Sequence, residues 1–246
     1  MNLVLDLGNT YGKIAVCDHK KVIEAATYER ITSREISYFH IRYSELKGAI
    51  VSSVVNYSRE IIDYLSNLYP SCIELDHSTP LPLENKYATP ETLGYDRIAA
   101  AVGAFTICPG KNVLVIDAGT AITYDIVTSR GEFMGGNISQ GIEIRFKSLN
   151  KYTTRLPHLE RPEEVPPLVG STTQEAIQSG VVNGLLFEMD GFIEAISKKY
   201  PKLQVVLTGG DAKYFVGKLK SSIFVDPNLN LIGLNRILEH NADREI

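Results

Sequence analysis

With 246 residues, 44% of them hydrophobic and 22% charged, the chain can bury a large core and has length for one large domain or two smaller ones. A formal charge of −4, with lysines and arginines scattered rather than striped, leaves no electrostatic footprint for nucleic acid. The first residues run straight into an apolar strand, no apolar stretch approaches ~18 residues, and Cys17, Cys72 and Cys108 lack C-x-x-C spacing. We therefore expect a cytoplasmic protein with no nucleic-acid or membrane partner, no disulfide framework and no zinc site.

In chain order, residues 3–7, 13–17 and 21–28 read as three consecutive strands of an antiparallel meander. A helix is predicted over Ser33–Leu46, a strand over 49–55, a helix over Ser58–Leu68 with Ile61, Ile62 and Leu65 on one face, and a strand over 72–75. The stretch His77–Pro90 carries three prolines and reads as an ordered loop, followed by an alanine-rich helix over Arg97–Phe105. The second half repeats the order: strands at 113–117, 121–127 and 132–138, a helical region after Gly141, and a long helix over Ala176–Ile196. Strands at 205–208 and 223–225 follow, and the two halves are expected to share one topology, a mixed sheet with helices on its faces.

Two segments have the same form. Leu3-Val-Leu-Asp-Leu-Gly-Asn-Thr10 and Val113-Leu-Val-Ile-Asp-Ala-Gly-Thr120 each run from an apolar strand to an Asp, a Gly and a Thr. Glycine directly after the acidic end lets the backbone turn tightly. A carboxylate at a strand tip suits a cation, and free N–H groups in the turn suit phosphate oxygens. Asp6 would hold Mg²⁺ directly or through water; Gly8, Asn9 and Thr10 would offer donors to a terminal phosphate, and Lys13 a positive charge. The same residues also satisfy a plain hairpin turn. A P-loop is excluded, because Gly8-x₃-Gly12-Lys13-Ile14 is one spacer short and lacks Ser or Thr after the lysine. In the second copy Asp117 is a cation ligand and Thr120 a phosphate donor, while Asp125 reads as solvated or structural.

Gly94-Tyr-Asp-Arg97 precedes the alanine-rich helix. Asp96 is either a helix N-cap, with Arg97 a surface residue, or a base accepting a proton from a substrate hydroxyl, with Arg97 pairing a substrate carboxylate. Thr172-x-x-Glu175 reads as a capping box that leaves Thr173 in the first helical turn, free to meet a ligand. Gly135–Gly141 and Thr208-Gly-Gly-Asp211 are glycine-rich strand exits where a flat ligand such as adenosine could approach the backbone.

Taken together, Asp6-x-Gly-Asn-Thr, Gly94-x-Asp-Arg, Asp117-x-Gly-Thr-Ala, Gly135-Gly-Asn-Ile, Gly170-x-x-Thr and Thr208-Gly-Gly, in this order over essentially the whole chain, resemble type III pantothenate kinase, of the superfamily of actin and the sugar kinases. The resemblance implies an α/β fold of two ribonuclease-H-like (actin-like ATPase) domains with mixed sheets flanked by helices. Residues 1–112 would carry the phosphate loop and catalytic Asp, and 113–246 the cation and adenosine side. It implies ATP with Mg²⁺, a monovalent cation (K⁺ or NH₄⁺), a homodimer, and phosphorylation of pantothenate at its primary hydroxyl, the first step of coenzyme A biosynthesis. Carried over by position, Asp6, Leu7, Gly8, Asn9, Thr10, Tyr11, Gly12 and Lys13 match the phosphate loop and Thr120 an ATP contact. Asp96 matches the catalytic base, and Gly94, Tyr95, Asp96 and Arg97 the pantothenate site. Tyr87 and Thr173 match further substrate contacts, and Asp117 the monovalent-cation ligand. Tyr95 stands where a small residue is common, Ser139-Gln-Gly141 where Pro-Gly is usual, and Ser171-Thr172 where Lys-Asn or similar precedes the threonine. A non-enzymatic nucleotide-binding regulator, a sugar kinase and an actin-like filament protein are the alternatives; the four charged residues disfavour the first, and the short chain the other two.

Overall fold

The computed structural model describes residues 1–8, 11–53 and 57–243; the readings at Asn9, Thr10, Val54 and Val55 lie outside the described residues. Two compact units form. Unit 1 is Met1–Gly110, Val127–Gly135 and Asn228–Ile246, and unit 2 is Lys111–Ile126 and Gly136–Pro227.

In unit 1, β1 (Asn2–Leu7), β2 (Gly12–Asp18) and β3 (Lys21–Tyr28) form the expected antiparallel meander. β4 (Gly48–Ser53) pairs in parallel with β1, and β5 (Ser71–Glu74) with β4, giving the order β3-β2-β1-β4-β5. Side chains alternate across the sheet because successive strand residues point to opposite faces. Leu3, Leu5, Ile14, Val16, Ala49 and Val51 therefore share a core with Ile36 and Phe39 of α1 (Ser33–Arg42) and Ile61 and Leu65 of α2 (Arg59–Leu68). Helix α1 begins in a capping box, Thr32 with Glu35, and stops short of Leu46 because Tyr43 leaves helical geometry.

Val4, Ala15 and Ile50 face the other way, into a core made with α3 (Tyr95–Ile107) and the last helix, Leu229–Ala242, for which the sequence reading had no element. The two helices pack backbone to backbone: a Cβ on Gly103 would strike the Leu229 carbonyl, and one on Gly233 the Ala99 carbonyl. Asn235, fully buried, accepts from Asn2 Nδ2 at 2.9 Å and donates to the His19 carbonyl at 2.7 Å, tying that helix to β1 and the β2–β3 turn. Within the 77–90 loop a two-residue strand, β6 (Glu84–Asn85), pairs in parallel with Glu132 and Phe133, and a 3-10 turn begins at Pro90.

Unit 2 repeats the plan with β7 (Val113–Ala118), β8 (Ala121–Val127), β9 (Glu132–Gln140), β10 (Gln204–Thr208) and β11 (Phe224–Val225), ordered β11-β10-β7-β8-β9. β7, β10 and β11 run parallel, as β1, β4 and β5 do. Its helices are α4 (Ile142–Lys151), α5 (Thr173–Lys199) and the single turn α6 (Ala212–Phe215), which makes the last helix α7. The core is Leu114, Ile116, Tyr124, Phe146, Met189, Leu207 and their neighbours. The strand order and the helical flanks match the mixed α/β plan that the resemblance implied.

Candidate functional site

The duplication holds in detail. Asp6 is the next-to-last residue of β1, and the Gly8 N–H donates to the Tyr11 carbonyl at 3.1 Å to close the turn into β2. Asp117 is the next-to-last residue of β7, and the Gly119 N–H donates to the Ala121 carbonyl at 3.0 Å. Each Asp has a hydroxyl residue in register on the parallel neighbour, Ser52 beside Asp6 and Thr208 beside Asp117. Lys13 faces Asp6 across the β1–β2 ladder.

Burial pushes the Asp6 carboxyl up to about 6; Lys13 opposes the rise, the Asp96 carboxylate adds to it, and a hydrogen bond with the Asn230 side chain opposes it. These groups come from three parts of the chain: β1 and β2, the start of α3, and the start of α7. Asp96 is the second residue of α3, and Asn230 the second of α7. Gly94 caps α3, so the N-cap reading of Asp96 is not realised; its Oδ1 instead accepts the Arg97 N–H at 2.9 Å, in the first turn where the helix dipole favours an anion. Two buried oxygens here have no partner among the described residues, Ser52 Oγ and Asn230 Oδ1.

Arg97 is not a surface residue: it is 5% exposed, with its guanidinium carbon 5.4 Å from the Tyr87 ring centroid and 6.0 Å from that of Phe133. The Tyr87 N–H donates to Asn85 Oδ1 at 3.0 Å, so the short strand β6 sets the ring's position. Gly135 has φ +82°, and a Cβ there would meet that ring at 2.8 Å. Gly135 thus makes room for Tyr87 rather than for a ligand. Tyr95 rests against the core that holds Leu75, Leu93 and Ile98.

Leu7, Gly8 and Gly12 border a cavity of about 450 Å³ also lined by Arg30, Thr32 and Ser58. Thr32 and Ser58 are the N-caps of α1 and α2, so both helices begin at this cavity. Sequence reading passed over these residues, although Thr32-x-x-Glu35 is itself a capping signature. It also passed over Ser52 and Asn230, whose meeting with Asp6 has no local signal.

In unit 2, Thr120 is exposed at the β7–β8 turn, where its carbonyl accepts the Gly141 N–H at 3.0 Å. Thr173, the first residue of α5, opens on a groove of about 640 Å³ with Arg145, Leu149 and Ile177. Thr172 accepts the Glu175 N–H at 3.1 Å as expected, but the Glu175 carboxylate turns to the Ser171 N–H at 2.8 Å instead of the cap residue's own. Asp125 is 1% exposed, which leaves the structural of its two readings. Gly136, Gly141 and Gly209 abut backbone, whereas among the described residues nothing lies within 4 Å of where a Cβ on Gly210 would stand. Asp211, next in the chain, is paired with Arg161 at 2.7 Å.

Residues 2–195 match the family model for type III pantothenate kinase. The type III pantothenate kinase of Phocaeicola vulgatus is 46% identical over 241 residues, 98% of this chain and 99% of that one. The enzyme of the same description from Bacteroides fragilis is 45% identical over 244 residues, covering 99% and 100%. Among solved structures, the activator of the 2-hydroxyisocaproyl-CoA dehydratase from Clostridium difficile with bound ADPNP superposes with a TM-score of 0.55 at 14% identity, covering 100% of this chain and 97% of that one. The Lmo2764 protein from Listeria monocytogenes gives 0.55 at 15%, covering 99% of each. At such identities these two speak for the fold alone.

Proposed function

This chain belongs to the type III pantothenate kinase family, and from that premise we propose how its residues phosphorylate pantothenate with ATP to give 4'-phosphopantothenate. The observation that carries the reading is the placing of Asp96 against Asp6, with Arg97, its chain neighbour, stacked on Tyr87. Asp96 takes the proton of the primary hydroxyl as that oxygen attacks the terminal phosphorus of ATP, and the bond from that phosphorus to the β–γ bridging oxygen breaks to release ADP. Arg97 pairs with the pantothenate carboxylate, which it suits by its planar pair of donors, and Tyr87 flanks the substrate. Gly94, Tyr95 and Thr173 complete the substrate contacts. Phosphoryl transfer asks mainly for positioning and neutralised charge.

The turn from Asp6 through Leu7, Gly8, Asn9, Thr10, Tyr11 and Gly12 to Lys13, with Thr120, takes the phosphates, and Gly210 leaves space for adenosine. The Asp6 carboxylate, at the tip of β1, is a hard oxygen donor that suits Mg²⁺, directly or through water, and the ion would withdraw charge from the phosphates. Among the described residues no three His, Cys, Asp or Glu side chains cluster. Asp117 would hold K⁺ or NH₄⁺, whose charge would offset that of the phosphates. The halves 1–112 and 113–246 are the two copies of the duplicated plan, one for phosphate and base, the other for cation and adenosine. A homodimer follows from the family resemblance, and sedimentation at low micromolar concentration checks it. Among the described residues no helix is long and apolar enough to cross a membrane, which fits a cytoplasmic site of action.

ATP-dependent phosphorylation of pantothenate, assayed beside a panel of sugars, tests the reading. Turnover of pantothenate alone is expected. Transfer to a sugar, or none to pantothenate, overturns it.

A further inference from the structure

Three features around Asp6 are not used by the mechanism above. Asn230 hydrogen-bonds to the Asp6 side chain, yet its own Oδ1 is buried with no partner among the described residues. Ser52 is 1% exposed and its hydroxyl is likewise unpartnered. The β1–β4 register sets Ser52 beside Asp6, and paired residues of neighbouring strands point to the same face. Buried polar atoms are almost always satisfied, so two orphans flanking one carboxylate mark a missing donor.

The fold gives this arrangement a pedigree. α3 is the helix after β5, with the short β6 and the 3-10 turn between, and α7 is the helix after β11, the corresponding place in the duplicated order. Each delivers its second residue to the same carboxylate: Asp96 from one copy, Asn230 from the other. Where α3 offers an anion, α7 offers a neutral amide. A carboxylate at 230 would set a third negative charge against Asp6 and Asp96. An asparagine instead donates to Asp6 and keeps an acceptor in hand.

We propose that Asn230 and Ser52 form with Asp6 a seat for one ordered water, and that Asn230 is a positioning residue for phosphoryl transfer. This rests on the reading of Asp6 as the phosphate-side carboxylate. Asp6 and Asn230 Oδ1 both accept, and the Ser52 hydroxyl both donates and accepts; a single water, with two protons and two lone pairs, satisfies all three. With the amide and the water each holding it, the Asp6 carboxylate is fixed in rotation before a metal–nucleotide complex arrives, as outer partners fix metal-binding carboxylates elsewhere.

The test compares Ser52→Ala, Asn230→Leu and Asp6→Asn. Ser52→Ala removes an orphaned hydroxyl, so a purely structural role leaves melting temperature and kcat unchanged or better. Our expectation is unchanged melting temperature with kcat and calorimetric affinity for Mg·ATP each down ~10-fold, while pantothenate KM stays within about twofold. Asn230→Leu, close in volume and without polar atoms, is expected to lower both by at least as much; should it fail to fold, Ser52→Ala decides alone. If Asp6→Asn abolishes Mg·ATP binding while Ser52→Ala and, where folded, Asn230→Leu keep wild-type kcat and affinity, the proposal is overturned and the reading of Asp6 stands. If Asp6→Asn itself keeps wild-type kcat, the reading of Asp6 falls and this proposal with it.

Discussion

The Arg97 guanidinium lies 5.4 Å from the Tyr87 ring centroid although ten positions separate the two in the chain, and the same ring sits so close to Gly135 that a Cβ there would meet it at 2.8 Å. A planar cation stacked on a ring keeps its in-plane donors directed outward from the stack, which a lysine cannot imitate. Arg97→Lys is therefore expected to raise pantothenate KM by ~10-fold or more, with kcat within a few-fold of wild type. Steady-state kinetics with ATP saturating measure it, and an unchanged KM removes Arg97 from the substrate site.

Asp96→Asn keeps the shape of the side chain but cannot take a proton. We expect kcat to fall by ~10² or more while ATP binding and the unfolding transition survive. A kcat within a few-fold of wild type at saturating pantothenate rules Asp96 out as the base.

Stability should carry the imprint of Asp6. With its carboxyl raised to about 6 in the folded chain, against 3.8 for the ordinary group, the native state binds more protons than the unfolded one between those values. Stability thus declines as pH rises through that window, and the loss is complete above about pH 6, with an upper bound of about 3 kcal/mol. In metal-free, nucleotide-free protein, Asp6→Asn is expected to be more stable than wild type at pH 7.5 and equal to it near pH 4. Urea unfolding at both pH values checks this, and a gap that does not change with pH contradicts it.

A monovalent ion at Asp117 would offset phosphate charge beside the second turn. Turnover is expected to depend on K⁺ or NH₄⁺ and to drop sharply in Na⁺-only buffer with Mg²⁺ present. Equal rates in the two buffers exclude that role.

The α3–α7 contact predicts a contrast between two glycines. Gly233→Ala drives a methyl into the Ala99 carbonyl and should destabilise by about 2–3 kcal/mol, lowering Tm by roughly 5–10 °C. Gly184→Ala, on α5 with no described residue's atom outside the helix backbone within 4 Å of the new methyl, should stabilise by up to about 1 kcal/mol. Thermal scans of both decide it; similar Tm values for the pair would mean that the helices separate without cost.

What could be read ahead of the structure was whatever the chain writes locally and twice. The strand, acidic tip and glycine turn at Asp6 recur at Asp117, and each half carries its own strand order, so the plan of both units was visible. α7 was not, because it is enclosed: Leu229, Leu231, Ile232, Leu234, Ile237 and Leu238 are all buried, along with Gly233 and Asn235, so no clean polar stripe sets it apart from a loop. β6 has only two residues and no periodicity to show. The neighbourhood of Asp6 fails for another reason. Asp96 and Asn230 reach it only through the packing of α3 and α7, and a contact across most of the chain leaves no trace in spacing.

Helix α7 closes a core whose other walls are made near the start of the chain: Leu231, Leu234, Ile237 and Leu238 fill a cluster begun by Val4, Ala15 and Ile50. On the ribosome, the part of that face which α7 covers must wait open, with α3 alone of the two helices in place, while all of unit 2 is synthesised. Chaperone demand during translation should therefore track the first hundred residues, and a stop codon ahead of Leu229 should harm the beginning of the protein more than its end.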